Sequence, residues 1–217
     1  MEPINLFSEG LNLGREGKFE SALRYFERVL EEEPLNHAAR YNYAYCLMRT
    51  GRLDDSLQQF QTVSEQRPND PDILCNIGRI HARQGDHKLA KSYFKRAIAL
   101  EPNHADAICQ LGILTGRFEG KYDEAVNYLQ KALAINDSLW EAHAALGITL
   151  HHLGRLREAA SHLCEAIRFN RENPMLHNHL GIIYMKLGEE GRAEEHFRGA
   201  LRTDPDADFR HRGLWEF

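Results

Sequence analysis

Apolar and small residues recur along this chain at i, i+3, i+4 and i+7 in one stretch after another. That is the period of a helix with one buried face. The stretches come in pairs, and between the two members of each pair stands a glycine: Gly17, Gly51, Gly85, Gly120, Gly154 or Gly188. Glycine ends a helix by adopting the left-handed conformation. The pattern therefore predicts an all-α protein of six helix pairs.

Blocks starting at residues 3, 37, 71, 105, 140 and 174 bring the pattern into register, five of 34 residues and one of 35. The eighth column is small throughout: Gly10, Ala44, Gly78, Gly112, Gly147, Gly181. The twentieth, allowing one inserted residue in block four, reads Ala22, Ser56, Ala90, Ala125, Ala159, Ala193. Four residues further on come Phe26, Phe60, Phe94, Leu129, Leu163 and Phe197. Small residues let two antiparallel helices approach, and the large residue fills the space beside them. A single pair cannot bury both of its faces, so the pairs are expected to stack into a continuous core.

These columns resemble the tetratricopeptide repeat family. The last block shows the likeness best, with Leu180, Gly181, Tyr184, Ala193, Phe197, Ala200 and Pro205 in the family's positions. Ser56 in place of Ala, and Asp137 and Arg171 in place of the closing Pro, depart from it locally. The resemblance implies one right-handed superhelical solenoid over 3–207, with repeats 3–36, 37–70, 71–104, 105–139, 140–173 and 174–207. Residues 208–217, with Phe209, Leu214, Trp215 and Phe217, are expected to cap the last pair or to dock elsewhere.

Composition narrows the functional classes. The 217 residues hold 27 Lys+Arg against 32 Asp+Glu, with 12 His, 4 Cys, 42% apolar residues and a formal charge of -5. A chain of this size needs neither disulfides nor a metal as a staple. Its mild acidity disfavours nucleic-acid binding by global charge. No apolar run approaches the roughly 18 residues of a membrane span. The first residues show no basic segment followed by an apolar one, so a cytoplasmic address is expected. Four thiols suit a reducing compartment.

The resemblance also implies where to look for function, because family members bind peptides or partner proteins on the concave face lined by the first helix of each pair. Three sets of residues there are candidate peptide contacts. Asn42, Asn76, Gln110 and His179 share the sixth column, where repeated amides can pair with successive peptide groups; a merely exposed polar face is the alternative. Arg49, Arg83 and Arg117 belong to a basic stripe running from Arg15 to Lys186. That stripe either complements helix dipoles or forms a rail for carboxylates. Tyr41, Tyr45, Ile113 and Ile148 are candidate apolar anchors, with Arg79 among them. Their alternative role is burial against a neighbouring helix. The carboxylate clamp of chaperone-binding relatives is not reproduced, since only Asn42 matches its pattern in the first register and one residue in the next.

Catalytic chemistry finds little support. The late histidines His143, His151, His152, His162, His177 and His179 lack the fixed spacing of a zinc motif. Of these, His151, His152 and His179 are the trio that neighbouring helices can bring near one another, but no metal site is expected. Cys75 and Cys109, one repeat apart, are poorly placed for a disulfide given helix axes roughly 8–10 Å apart. No phosphate loop, dinucleotide fingerprint or nucleophile elbow occurs. The expected function is thus a non-catalytic adaptor that needs no cofactor and holds a protein or peptide, including one with acidic residues. A self-assembling homo-oligomer is the alternative, and RNA binding through the Arg stripe and Tyr41 and Tyr45 is the outsider.

Overall fold

The structure is a computed structural model and describes residues 5–203. Pro205 and the expected cap, residues 208–217, lie outside the described residues. Twelve α-helices and no strands occur within them. They are α1 (Leu6–Arg15), α2 (Phe19–Glu32), α3 (His37–Arg49), α4 (Leu53–Gln66), α5 (Pro71–Arg83), α6 (His87–Leu100), α7 (Ala105–Glu119), α8 (Tyr122–Ile135), α9 (Trp140–His152), α10 (Leu156–Phe169), α11 (Pro174–Leu187) and α12 (Glu190–Thr203). Two compact units result, one up to Pro102 and one from Asn103.

Local chemistry sets the helix ends. The six glycines between pair members all have φ between 66° and 89°, a region closed to most other residues. First helices other than α9 begin on side-chain caps. The side chains of Asn36, Asp70, His104 and Asn173 accept hydrogen bonds from backbone N–H groups of α3, α5, α7 and α11, satisfying donors that the helix itself leaves open. The residue inserted in block four is absorbed by α7, which runs to 15 residues against 13 in α3, α5 and α9.

Packing within a pair follows the small and large columns. A Cβ placed on Gly78 would stand 2.6 Å from Phe94 Cε1, and one on Gly181 would stand 2.6 Å from Phe197 Cε1. Both are well inside van der Waals contact, so the backbone there lies directly on the ring. In the first unit the core joins neighbouring pairs. Phe26 and Val29 of α2 cluster with Ala39, Cys46 and Leu47 of α3. Phe60 and Val63 of α4 cluster with Ile73, Ile77 and Ile80 of α5. Ser56 keeps the close approach of its column while adding a bond, since its buried Oγ donates to the Ala44 carbonyl at 2.7 Å. In the second unit α9 packs against α7, α8, α10 and α11, and every residue from Ala144 to His151 is buried.

Candidate functional site

The first helices of the first unit carry an aromatic and cationic cluster among the candidate residues. On α3, Tyr45 is half-buried and Arg49 exposed. The Arg49 guanidinium lies 4.3 Å from the centroid of the Phe19 ring at the start of α2, and its Nη1 donates to the Tyr45 hydroxyl at 3.1 Å. Phe19 and Tyr45 meet edge to face with centroids 6.2 Å apart. A guanidinium over an aromatic face is held electrostatically, so the Phe19 ring and the Tyr45 hydroxyl orient this cation. Among the described residues no carboxylate pairs with it. Phe19 falls outside the first-helix columns because it belongs to a second helix; its place two residues after the turn glycine Gly17 is the signal that could have found it.

Beside this cluster, several expected contacts serve the protein itself. Tyr41 packs edge to face on Phe60, centroids 5.5 Å apart, and its hydroxyl accepts from Asn76 Nδ2 at 2.9 Å. Burial, with the Asp72 carboxylate nearby, pushes the Tyr41 phenol up to about 12. Asn76 is only 7% exposed, so its amide ties α5 to α3 and does not stand open as a rung for a peptide. Asn42 is half-buried and donates to Ala38 O of its own helix at 2.8 Å. Arg83 Nη1 donates to the carbonyl of Met48 at the end of α3, satisfying a C-terminal acceptor and favouring that end of the helix dipole. The structural role of the basic stripe is realised at this position. Arg79 is half-buried on α5.

The second unit corrects two expectations. Ile148, expected as a surface anchor, is 1% exposed because neighbours on both sides cover α9. His179, expected in an amide-like ladder, is 2% exposed, and neither ring nitrogen has a hydrogen-bond partner. Burial first, and the neighbouring His151 and His152 second, push it down to about 4. His151 is likewise pushed down to about 4 by burial, with Lys186 and His152 adding to it; its Nε2 accepts from Lys186 Nζ at 2.6 Å. Gln110 and Ile113 are half-buried on α7, and Arg117 is exposed with its guanidinium 5.1 Å from the Phe118 ring centroid.

Among the described residues no group of three or more His, Cys, Asp or Glu converges to hold a metal ion; His151 and His152 on α9 and His179 on α11 do lie on helices that pack together. All four cysteines are free thiols, and burial pushes Cys46 up to about 11, which keeps it inert. No helix of the described residues is long and apolar enough to cross a membrane.

Comparisons with known proteins agree with this architecture. Tetratricopeptide repeat family profiles match residues 15–74 and 119–178, residues 74–138 and residues 153–208. No curated protein sequence matches the chain. Among solved structures, the Cut9–Hcn1 hetero-tetramer of APC/C superposes with a TM-score of 0.85 at 20% identity, over 94% of this chain and 40% of that one. This chain therefore spans less than half the length of that relative. TTC0263, a thermophilic tetratricopeptide protein in Thermus thermophilus, gives a TM-score of 0.72 at 25% identity, covering 83% and 98% of the two chains. YrrB, described as a tetratricopeptide protein with an unusual peptide-binding site, gives 0.54 at 23% identity, covering 83% and 93%.

Proposed function

The chain belongs to the tetratricopeptide repeat family, and from that we propose that it is a non-catalytic adaptor that holds a protein or peptide partner on its first-helix face. The fold generally mediates protein–protein interaction. The observation that carries the finer reading is Arg49. It is exposed, braced by Phe19 and Tyr45, and unpaired with any carboxylate among the described residues. One of its five N–H donors is used by Tyr45, so a carboxylate on a partner meets a pre-oriented fork. Tyr45 and Phe19 offer apolar contact beside it, the combination of aromatic and Arg that dominates binding energy at interfaces. Asn42 and Arg79 remain as peripheral contacts in this reading, while Gln110, Ile113 and Arg117 belong to the second unit and are not part of this cluster. Tyr41, Asn76 and Arg83 shape the face from within. A cytoplasmic setting belongs to the proposal and is supported by the four free thiols.

A photo-crosslinking residue placed at Asn42 in the native host tests this. Transfer to a defined partner, with loss of transfer when Arg49 is changed to Ala, supports the proposal. Equal transfer from a probe at Arg28 on α2, or transfer unaffected by Arg49→Ala, refutes it. Transfer only to a second copy of the chain selects the homo-oligomeric scaffold instead.

A further inference from the structure

Two pairs of histidines recur in the second unit, one repeat apart, and the adaptor reading makes no use of them. His143 Nδ1 on α9 lies 3.1 Å from His162 Nδ1 on α10. His177 Nδ1 on α11 lies 3.1 Å from His196 Nδ1 on α12. The first histidine of each pair is oriented by the same kind of backbone contact: His143 Nε2 is 3.0 Å from Asp137 O, and His177 Nε2 is 3.3 Å from Arg171 O. A carbonyl only accepts, so Nε2 carries the proton and Nδ1 presents a lone pair to the partner ring. The rings are also braced laterally, His143 stacking on Phe169 and His196 on Tyr184.

We propose that each pair is a two-imidazole site for a divalent transition metal such as Zn(II) or Cu(II), with water completing the coordination. An ion placed about 2.0–2.1 Å from both nitrogens subtends an N–metal–N angle of about 100°, a value open to tetrahedral and to tetragonal geometry. The carbonyl behind Nε2 is the outer-sphere contact that metal-bound histidines usually make. Protons balance without an added base. In the metal-free pair the second ring donates from Nδ1 to the first; on metal binding that ring carries its proton on Nε2, and Nδ1 becomes a ligand. Burial lowers the proton affinity of His162, His177 and His196, which favours in those three rings the neutral form that metal binding requires. The surrounding charge is mixed. Glu158 and Glu165 act on His162 against Arg155, while Glu195 acts on His177 and His196, and Arg202 on His177.

The second repeat shows that the same place can be built without a metal ligand. There Arg40 Nη1 donates to Gln59 Oε1 at 2.7 Å, and Arg40 Nη2 donates to Pro34 O. The separation of 19 residues and the backbone contact six residues upstream match those of the histidine pairs. A polar clasp between pair members thus needs no imidazole, yet two later repeats place two imidazoles there with their Nδ1 atoms at chelating distance. The sequence hides this because each ligand set is split between the two helices of a pair, outside any short motif.

The test is equilibrium titration of the tag-free full chain with Zn(II) against a chromophoric chelator, with helicity checked by circular dichroism. The expected result is two ions per chain, falling to one in His162→Gln and to one in His196→Gln, and unchanged in His152→Gln. The paired change His143→Arg with His162→Gln transplants the clasp of the second repeat, so it keeps the fold while removing that ion. Cu(II)-loaded wild-type protein should show electron paramagnetic hyperfine structure from two imidazole nitrogens per ion. Absence of Zn(II) binding up to millimolar concentration overturns the proposal. So does a stoichiometry indifferent to His162 and His196, or a Cu(II) signature with one or three imidazoles.

Discussion

Replacing Gly78 by Ala probes the contact on which each helix pair rests. The added methyl would meet Phe94 Cε1 at 2.6 Å, Cδ1 at 2.9 Å and Cζ at 3.2 Å, against an ordinary contact distance of roughly 3.5–4.0 Å. Phe94 is fully buried, so its ring has no solvent to move into and α5 must lift from α6. Overpacking of this kind costs about 1–3 kcal/mol. Exchanging Gly for Ala inside a helix returns roughly 0.8–1 kcal/mol of propensity, leaving a net loss between about zero and 2 kcal/mol. Gly14→Ala is the internal reference, since a Cβ there meets nothing within 4 Å; it gains propensity without the clash and stabilises by up to about 1 kcal/mol. Urea unfolding followed by circular dichroism should place the Gly78→Ala midpoint below wild type and the Gly14→Ala midpoint at or above it. If Gly78→Ala is as stable as Gly14→Ala, the ring-on-backbone contact is not what sets the pair spacing.

Other predictions follow from named contacts. Tyr41→Phe keeps the ring on Phe60 but leaves the nearly buried Asn76 amide without its acceptor, so it should destabilise by about 1–3 kcal/mol in the same urea assay; an unchanged midpoint would show that the amide finds another partner. His151 and His179 titrate near 4 when folded and near 6.5 when unfolded, so the unfolded chain takes up their protons first. Stability should therefore fall as pH drops from about 6.5 towards 4, and His179→Leu should flatten that limb in melting curves; identical pH profiles would refute the assignment. Cys46, raised to about 11 by burial, should resist a thiol reagent at pH 8 in the native protein and react at once in denaturant. Native labelling at the unfolded rate would contradict its burial.

The pair architecture was legible because it is written six times. Gly78 with Phe94 and Gly181 with Phe197 stand in the same two columns, and the structure puts each ring on its glycine. Column identity fixes which face of a helix a residue occupies, but not what covers that face. Ile113 and Ile148 share a column, yet α9 is flanked by α7 and α11 as well as by its own neighbours, which buries Ile148 while Ile113 stays half-exposed. Asn42 and Asn76 likewise share a column but not an environment, because only Asn76 has a tyrosine hydroxyl opposite it. Arg49 and Tyr45 were visible as a basic stripe and an aromatic pair. Their bracing by Phe19 was not, since the contact joins the second helix of one repeat to the first helix of the next. The histidine pairs were equally hidden, each ligand lying 19 residues from its mate.

The most direct test of the adaptor account is the dissociation constant of the crosslinked partner segment, made as a synthetic peptide, for wild type, Arg49→Ala and Tyr45→Ala. The account predicts weakening of roughly tenfold or more in each variant, the behaviour of residues at the centre of an interface, with circular dichroism unchanged. Affinity untouched by both changes, but reduced by Arg28→Ala on α2, would contradict it.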